Sequence, residues 1–311
     1  MNNRTTPADG ENEAGQTRSG FVALIGAPNA GKSTLVNQLV GTKVSIVTHK
    51  VQTTRALVRG IFIEGQAQIV LVDTPGIFRP KRRLDRAMVT TAWGGAKDAD
   101  IILVLLDSQG GLNENAEALL ASMKDVRQKK VLVLNKVDRV DPPVLLDLAR
   151  KANELVTFDQ TFMISALNGS GCKDLAKYLA ENVPNGPWYY PEDQISDMPM
   201  RQLAAEITRE KLYLRLHEEL PYSSTVETER WEERKDGSVR IEQVIYVERE
   251  SQKKIVLGHK GETIKAIGQS ARMEISEILE QTVHLFLFVK VRENWGNDPE
   301  RYREMGLDFP T

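Results

Sequence analysis

A single cysteine, Cys172, stands in the 311-residue sequence, so no disulfide can close within one chain. Its surroundings, NGSGCKD, read as a loop, which argues against a catalytic thiol and fits a reducing compartment. Long apolar runs are lacking: none approaches the ~20 residues that span a bilayer. The first twenty residues are polar and Gly-containing, without the apolar segment of a secretory signal, and are expected to be disordered. Charge of one sign is also lacking. Lys and Arg number 41 against 43 Asp and Glu, a net charge of -2, so the chain as a whole does not attract polyanions and any basic patch must be local. There is no internal repeat. What remains is an ordinary globular composition, 41% hydrophobic and 27% charged, at a length that suits two domains.

From Phe21 onward short apolar runs alternate with longer mixed segments. FVALIGA, AQIVLVDTPG, DIILVLLD, KKVLVLNKVD and TFMISAL are rich in Val, Ile and Leu with little polar alternation, the pattern of strands covered on both faces. VRGIFIEG adds a strand beside the second run. Helical stretches such as GKSTLVNQLVG and NENAEALLASMKDVRQ lie between them, so the fold class is α/β with a mostly parallel sheet. PNGPWYYPEDQISDMP, dense in Pro and Gly, reads as a linker, with Trp188, Tyr189 and Tyr190 expected in interdomain packing. Beyond it come a helix ending before Pro221, two strands around KDGS, two helices and a closing strand, the order αββααβ of an α+β domain. The expected organisation is a disordered extension over 1–19, a first domain over 20–183, a linker over 184–199, a second domain over 200–295 and a tail over 296–311.

Gly26-Ala27-Pro28-Asn29-Ala30-Gly31-Lys32-Ser33, followed by Thr34, matches the phosphate-loop pattern G-x-x-x-x-G-K-[ST], with a strand before it and a helix after. Its glycines turn backbone N–H groups toward phosphates, and the helix N-terminus adds positive potential. Lys32 is placed to reach the β- and γ-phosphates, and Ser33 to bind Mg²⁺. Asn135-Lys136-Val137-Asp138 follows another strand. A carboxylate there accepts from both donors of guanine's Watson–Crick edge, whereas adenine leaves it unpaired. Ser165-Ala166-Leu167 ends the next strand, where the Ala166 N–H can meet the 6-oxo group. Asp73-Thr74-Pro75-Gly76 also ends a strand, with Asp73 expected at Mg²⁺ and the Gly76 N–H at the γ-phosphate. Thr53 and Thr54 lie in a polar segment upstream; Thr54 is expected to close on Mg²⁺ when triphosphate is present.

This set resembles the translation-factor-related GTPases. In Ras-like relatives a glutamine after the DxxG glycine orients the attacking water. Here Ile77 and then Phe78 follow, and neither side chain can do so. Asn29 is a candidate ligand for a monovalent cation such as K⁺, in the subfamily that G-x-P-N-x-G-K-S resembles; otherwise it stabilises its own loop.

Gly258-His259-Lys260-Gly261 joins two helices inside the αββααβ order and resembles the G-x-x-G loop of a type II KH domain, which clamps a nucleic-acid backbone. The glycines allow a sharp turn and close approach of phosphates, Lys260 brings charge, and Lys253, Lys254 and Lys265 lie nearby. Acidic Glu218, Glu219, Glu232, Glu233, Glu277 and Glu280 offset them, which suits a local single-stranded RNA contact.

A phosphate-loop GTPase domain followed by a KH domain, carrying APNAGKST, QTTR, DTPGI, NKVD, SAL and FVKVRENW, is similar to the Era family of ribosome-assembly GTPases. That resemblance implies GTP and GDP as ligands, Mg²⁺ as cofactor, and the 3′ end of small-subunit ribosomal RNA and the small subunit as partners. It also implies a cytoplasmic protein, taken as a monomer, with peripheral membrane contact at most. Two other readings stand beside it. One is a GTP-dependent switch whose C-terminal module binds a protein or membrane. The other is a tRNA-modification GTPase, against which the single cysteine and the want of a second catalytic domain argue.

Overall fold

In the computed structural model, residues 17–51, 53–217, 220–293 and 295–310 are described. Most of the N-terminal extension, Gln52 of QTTR, and Glu218 and Glu219 lie outside them.

The first half builds one sheet. Its strands are β1 (Arg18–Gly26), β2 (Val58–Glu64), β3 (Ala67–Asp73), β4 (Ile101–Asp107), β5 (Lys129–Asn135) and β6 (Gln160–Met163), in the order β2-β3-β1-β4-β5-β6. All pairings are parallel except β2 with β3. The helices are α1 (Lys32–Val40), α2 (Arg83–Lys97), α3 (Glu114–Ser122), α4 (Pro142–Leu155) and α5 (Cys172–Asn182). Two apolar clusters, one per face, cover the sheet. This explains the uninterrupted Val, Ile and Leu runs, because β1, β3 and β4 have solvent on neither side. β1 sits between β3 and β4, where the strand order reverses, and the crevice at the carboxyl ends of its neighbours is where ligands bind in such sheets.

The second half runs α6 (Met200–Arg215), β7 (Ser224–Glu233), β8 (Val239–Val247), α7 (Glu250–Leu257), α8 (Glu262–Leu279), β9 (Val283–Val291) and α9 (Pro299–Glu304). The sheet β7-β8-β9 has β8 and β9 parallel, and α6 and α8 close one face.

The linker aromatics do something other than expected. Tyr189 packs on Phe21 with ring centroids 4.9 Å apart, and Trp188 Nε1 donates to the Gln66 carbonyl at 3.1 Å. Gln68, fully buried, holds Tyr189 and Tyr190 by their backbone. Edge backbone and a buried amide need partners, and the linker supplies them. The three aromatics therefore fasten the linker to the first sheet and do not pack between the domains. Between the domains, Trp295 at the end of the second domain and Tyr302 and Leu307 of the tail bury against Leu84, Ala87 and Met88 of α2.

Candidate functional site

The phosphate loop leaves β1 at Gly26 and enters α1 at Lys32. Asn29 takes a left-handed backbone, φ 64°, and Gly31 another, φ 94°. A Cβ at Gly31 would meet Asn135 Nδ2 at 2.2 Å, so glycine is required there for space as well as for φ. Lys32 is 6% exposed, and its ammonium rests on the Gly26 and Ala27 carbonyls at 3.1 and 3.2 Å. Burial draws its pKa down to about 8, while the nearby Asp73 charge pulls the other way.

Ser33, Thr54 and Asp73 converge. Ser33 Oγ lies 2.9 Å from Thr54 Oγ1 and donates to Asp73 Oδ2 at 2.6 Å, and Ser45 Oγ reaches the same oxygen at 2.7 Å. Asp73 is fully buried, and its Oδ1 has no partner. Burial raises its pKa, opposed by Lys32 and the three hydroxyls. Hard oxygens around an orphaned buried carboxylate oxygen form a donor set that fits Mg²⁺. Gly76 lies so close to the phosphate loop that a Cβ would meet Pro28 N at 2.8 Å. Ile77 packs against the apolar cluster on one sheet face, and its N–H donates to the Gly26 carbonyl at 3.0 Å.

The cavity framed by these groups measures about 450 Å³. Its walls include Pro28, Asn29, Gly31, Lys32, Ser33, Thr34, Thr53, Thr54, Gly76, Asn135, Lys136, Asp138, Ser165, Ala166 and Leu167. Five segments expected from the sequence thus meet at one place. Gly26, Ala27, Ala30, Asp73, Thr74, Pro75, Ile77 and Val137 do not line it. Asp138 is exposed at the mouth, and the Ser165 hydroxyl beside it holds its carboxyl below the usual carboxylate range. Lys136, φ 65°, bonds Asp107 at 2.5 Å.

Asn135 is 2% exposed, and its amide serves the protein itself. Nδ2 donates to the Ala30 carbonyl at 2.9 Å; Oδ1 accepts from Lys136 N at 2.8 Å and Ala166 N at 2.9 Å. It therefore staples the phosphate loop to both base-side loops, and the Ala166 N–H is engaged by it. Asn135→Ala is expected to leave the Ala30 carbonyl and the Ala166 N–H unpaired, at roughly 3 kcal/mol. The melting temperature should fall by roughly 6–12 °C, checked by thermal unfolding without nucleotide, and an unchanged melting temperature would contradict this stapling role.

The sequence reading missed one wall, the segment Ile46, Val47, Thr48, His49 and Lys50, together with Asp107 and Arg139. The signal lay in the polar stretch before QTTR, whose position between helix and strand already marked a ligand loop. The second domain grips this segment. Arg209 donates to the Thr53 carbonyl at 2.6 Å, Arg55 to the Tyr213 hydroxyl at 2.8 Å, and Glu210 Oε1 accepts from Val47 N at 2.8 Å. Lys43 bonds Glu210 at 2.7 Å and also Glu274, and Lys50 reaches the Tyr213 and Leu216 carbonyls.

The GHKG loop sits apart from the cavity. Gly258 (φ 73°) and Gly261 (φ 80°) flank exposed His259 and Lys260, and a Cβ at Gly258 would meet Thr263 Oγ1 at 2.2 Å. The 18-residue α8 starts immediately after, with its free N–H groups at the loop. Lys254 and Lys265 are exposed nearby and Lys253 is half-buried. Val256 and Ile267 are fully buried in the core, whereas Ile255 is 56% exposed. Cys172, buried, has its thiol pushed up to about 11 by burial, which suits no nucleophile. No described helix is long and apolar enough to cross a membrane.

The profile of the 50S ribosome-binding GTPase family matches residues 21–136, and that of the KH domain residues 219–296. Over all 311 residues of both chains the sequence is 93% identical to the GTPase Era of Brucella suis biovar 1. It is 76% identical to that of Mesorhizobium japonicum over 96% of each chain. A single-residue variant of Aquifex aeolicus Era, solved with GDP and AlF4⁻, superposes with a TM-score of 0.89 at 38% identity, covering 93% of this chain and 99% of that one. An Era solved with MgGDPNP and nucleotides 1506-1542 of 16S ribosomal RNA gives 0.88 at the same identity and coverage.

Proposed function

The chain belongs to the Era family of GTPases and converts GTP and water to GDP and phosphate, and from that premise we propose that it binds small-subunit ribosomal RNA near its 3′ end through the KH domain, as a GTP-timed factor in small-subunit assembly. Residues 20–183 form the nucleotide unit, 184–199 the linker and 200–295 the RNA unit. The protein works as a monomer in the cytoplasm, with any contact at the inner face of the membrane peripheral.

One observation carries the timing. Ile46 to Lys50 with Thr53 and Thr54 line the nucleotide cavity, and Lys43, Val47, Thr53 and Arg55 of the same stretch are bonded to α6. A change there on loss of the γ-phosphate must strain or break those bonds, and so reach the domain that carries GHKG. The test is RNA affinity with the protein held in GTP-analogue and GDP states. Equal affinities would end the timing claim.

At the floor of the cavity, Ser33 and Thr54, with Asp73 buried behind them, would hold Mg²⁺, which would supply positive charge to the β- and γ-phosphates. The loop N–H groups and Lys32 fix the triphosphate, and the Gly76 N–H meets the γ-phosphate. Asp138 reads guanine. Ile77 offers water no hydrogen bond, so positive charge has to come from elsewhere. Asn29 Nδ2 donates to the His49 carbonyl at 2.9 Å, which leaves Oδ1 as the atom a K⁺ ion would meet. Turnover is expected to be faster in K⁺ than in Na⁺ at equal ionic strength, with the difference lost in Asn29→Ala. Equal rates in the two salts would reduce Asn29 to a tie between loops.

A further inference from the structure

From Arg79 to Arg86 the chain carries five cationic residues and one acid, Asp85, in a protein of net charge -2. Arg79, Lys81, Arg82 and Arg86 are exposed. The run leads into the first turn of the 15-residue α2, where the helix dipole disfavours cations. Asp85, 3% exposed, sits among these cations and accepts from the N–H groups of Lys81 and Arg82, each at 2.9 Å. Charge placed against its own helix points to an anionic ligand.

Arg79, Lys81 and Arg82, with Asp85 among them, rim a second cavity of about 420 Å³, nearly the size of the nucleotide cavity. Phe78 and, from the other domain, Tyr222 give it an aromatic lining. Pro28 and Asp107 line both cavities, so the phosphate loop is the partition between them. We propose that this cleft is a second RNA site, which takes one unstacked nucleotide with its phosphates on Arg79, Lys81 and Arg82 and its base against Phe78 and Tyr222. Base-on-aromatic stacking beside cations is how single strands are held. The occupant presses on Pro28, against which Gly76 is packed without a spare ångström, so RNA here bears directly on the γ-phosphate side of the nucleotide. The proposal rests on the RNA-binding reading above.

The test uses Arg79→Ser/Lys81→Ser/Arg82→Ser in the full chain with a full-length 16S ribosomal RNA transcript. Serine is a favoured N-cap, so α2 keeps its start, and removal of cations there should raise the melting temperature slightly. RNA affinity at 0.1 M salt is expected to fall about tenfold or more, and the log–log salt slope to become shallower by about 2, at ~0.7 per phosphate contact. Lys124→Ser/Arg127→Ser/Lys177→Ser, also exposed residues, removes equal charge elsewhere and should leave both quantities unchanged. An unaltered slope in the first variant, or the same loss in the second, overturns the cleft site. If His259→Asp/Lys260→Asp loses RNA while the cleft variant does not, the KH reading stands and the cleft passes to an acidic protein segment. If all three variants bind as the parent does, the RNA reading falls and the cleft proposal with it.

Discussion

The variant His259→Asp/Lys260→Asp is expected to lose RNA affinity by on the order of 100-fold or more, because like charges brought into contact cost several kcal/mol. Phosphates must approach the backbone between Gly258 and Gly261, and the two substitutions put carboxylates at that approach. A lysine contact also disappears, so the salt slope becomes shallower by about 0.7. The fold should persist. Both side chains are exposed, and the two glycines that enforce the turn remain. GTP affinity should persist as well, since neither residue lines the nucleotide cavity. Two titrations on one preparation decide the matter, one with 16S ribosomal RNA 3′-end oligonucleotides and one with a fluorescent GTP analogue. Undiminished RNA binding by a folded, GTP-binding variant would remove the clamp from GHKG and hand the second domain to a protein or membrane partner.

Asp138→Asn should exchange guanine for xanthine, with GTP affinity falling by at least on the order of 100-fold and xanthosine triphosphate gaining correspondingly. The carboxylate accepts from N1–H and the 2-amino group. An amide presents a donor to the 2-oxo group of xanthine and loses one acceptor for guanine. Asp138 stands exposed at the cavity mouth, so the penalty for a wrong base arises only when a base covers it. Stability without nucleotide should therefore be unchanged, in contrast to Asn135→Ala, which acts inside the protein. Hydrolysis of xanthosine triphosphate by the variant at close to the parent's rate with GTP would show that the phosphate machinery is intact. A variant that still prefers GTP would place base recognition elsewhere.

These two neighbours in NKVD show how far local sequence reaches. Asp138 could be proposed as the base reader from the sequence because it follows a strand and a carboxylate suits the donors of guanine's edge; the structure puts it exposed at the cavity mouth. Asn135 looked alike in the sequence, yet the turn at Lys136 directs its amide inward to Ala30 and Ala166, residues from two distant loops. No spacing in one segment reveals where another segment's backbone will be. The same holds for helix α2. Its sequence, with Gly94 and Gly95 and a basic start, carries weak helical signals; tertiary burial of Leu84, Ala87 and Met88 against the tail holds it. The end of the second domain and the short, polar tail gave no hint that Trp295 and Tyr302 would be fully enclosed.

The sequence by itself determined the two sheets, the αββααβ order, the five segments of the nucleotide site and the GHKG turn, because each is written in short-range periodicity, in glycines that a backbone angle requires, or in residues whose chemistry matches a ligand. The tertiary structure alone decided what joins them: α6 on the segment from Lys43 to Arg55, the linker aromatics on the first sheet, the tail on α2, and the basic rim of a cleft that shares its wall with the nucleotide. Those contacts link residues more than a hundred positions apart in most cases. Their partners are ordinary side chains and carbonyls with no mark of their own, and only the packing of the domains selects one pairing among many.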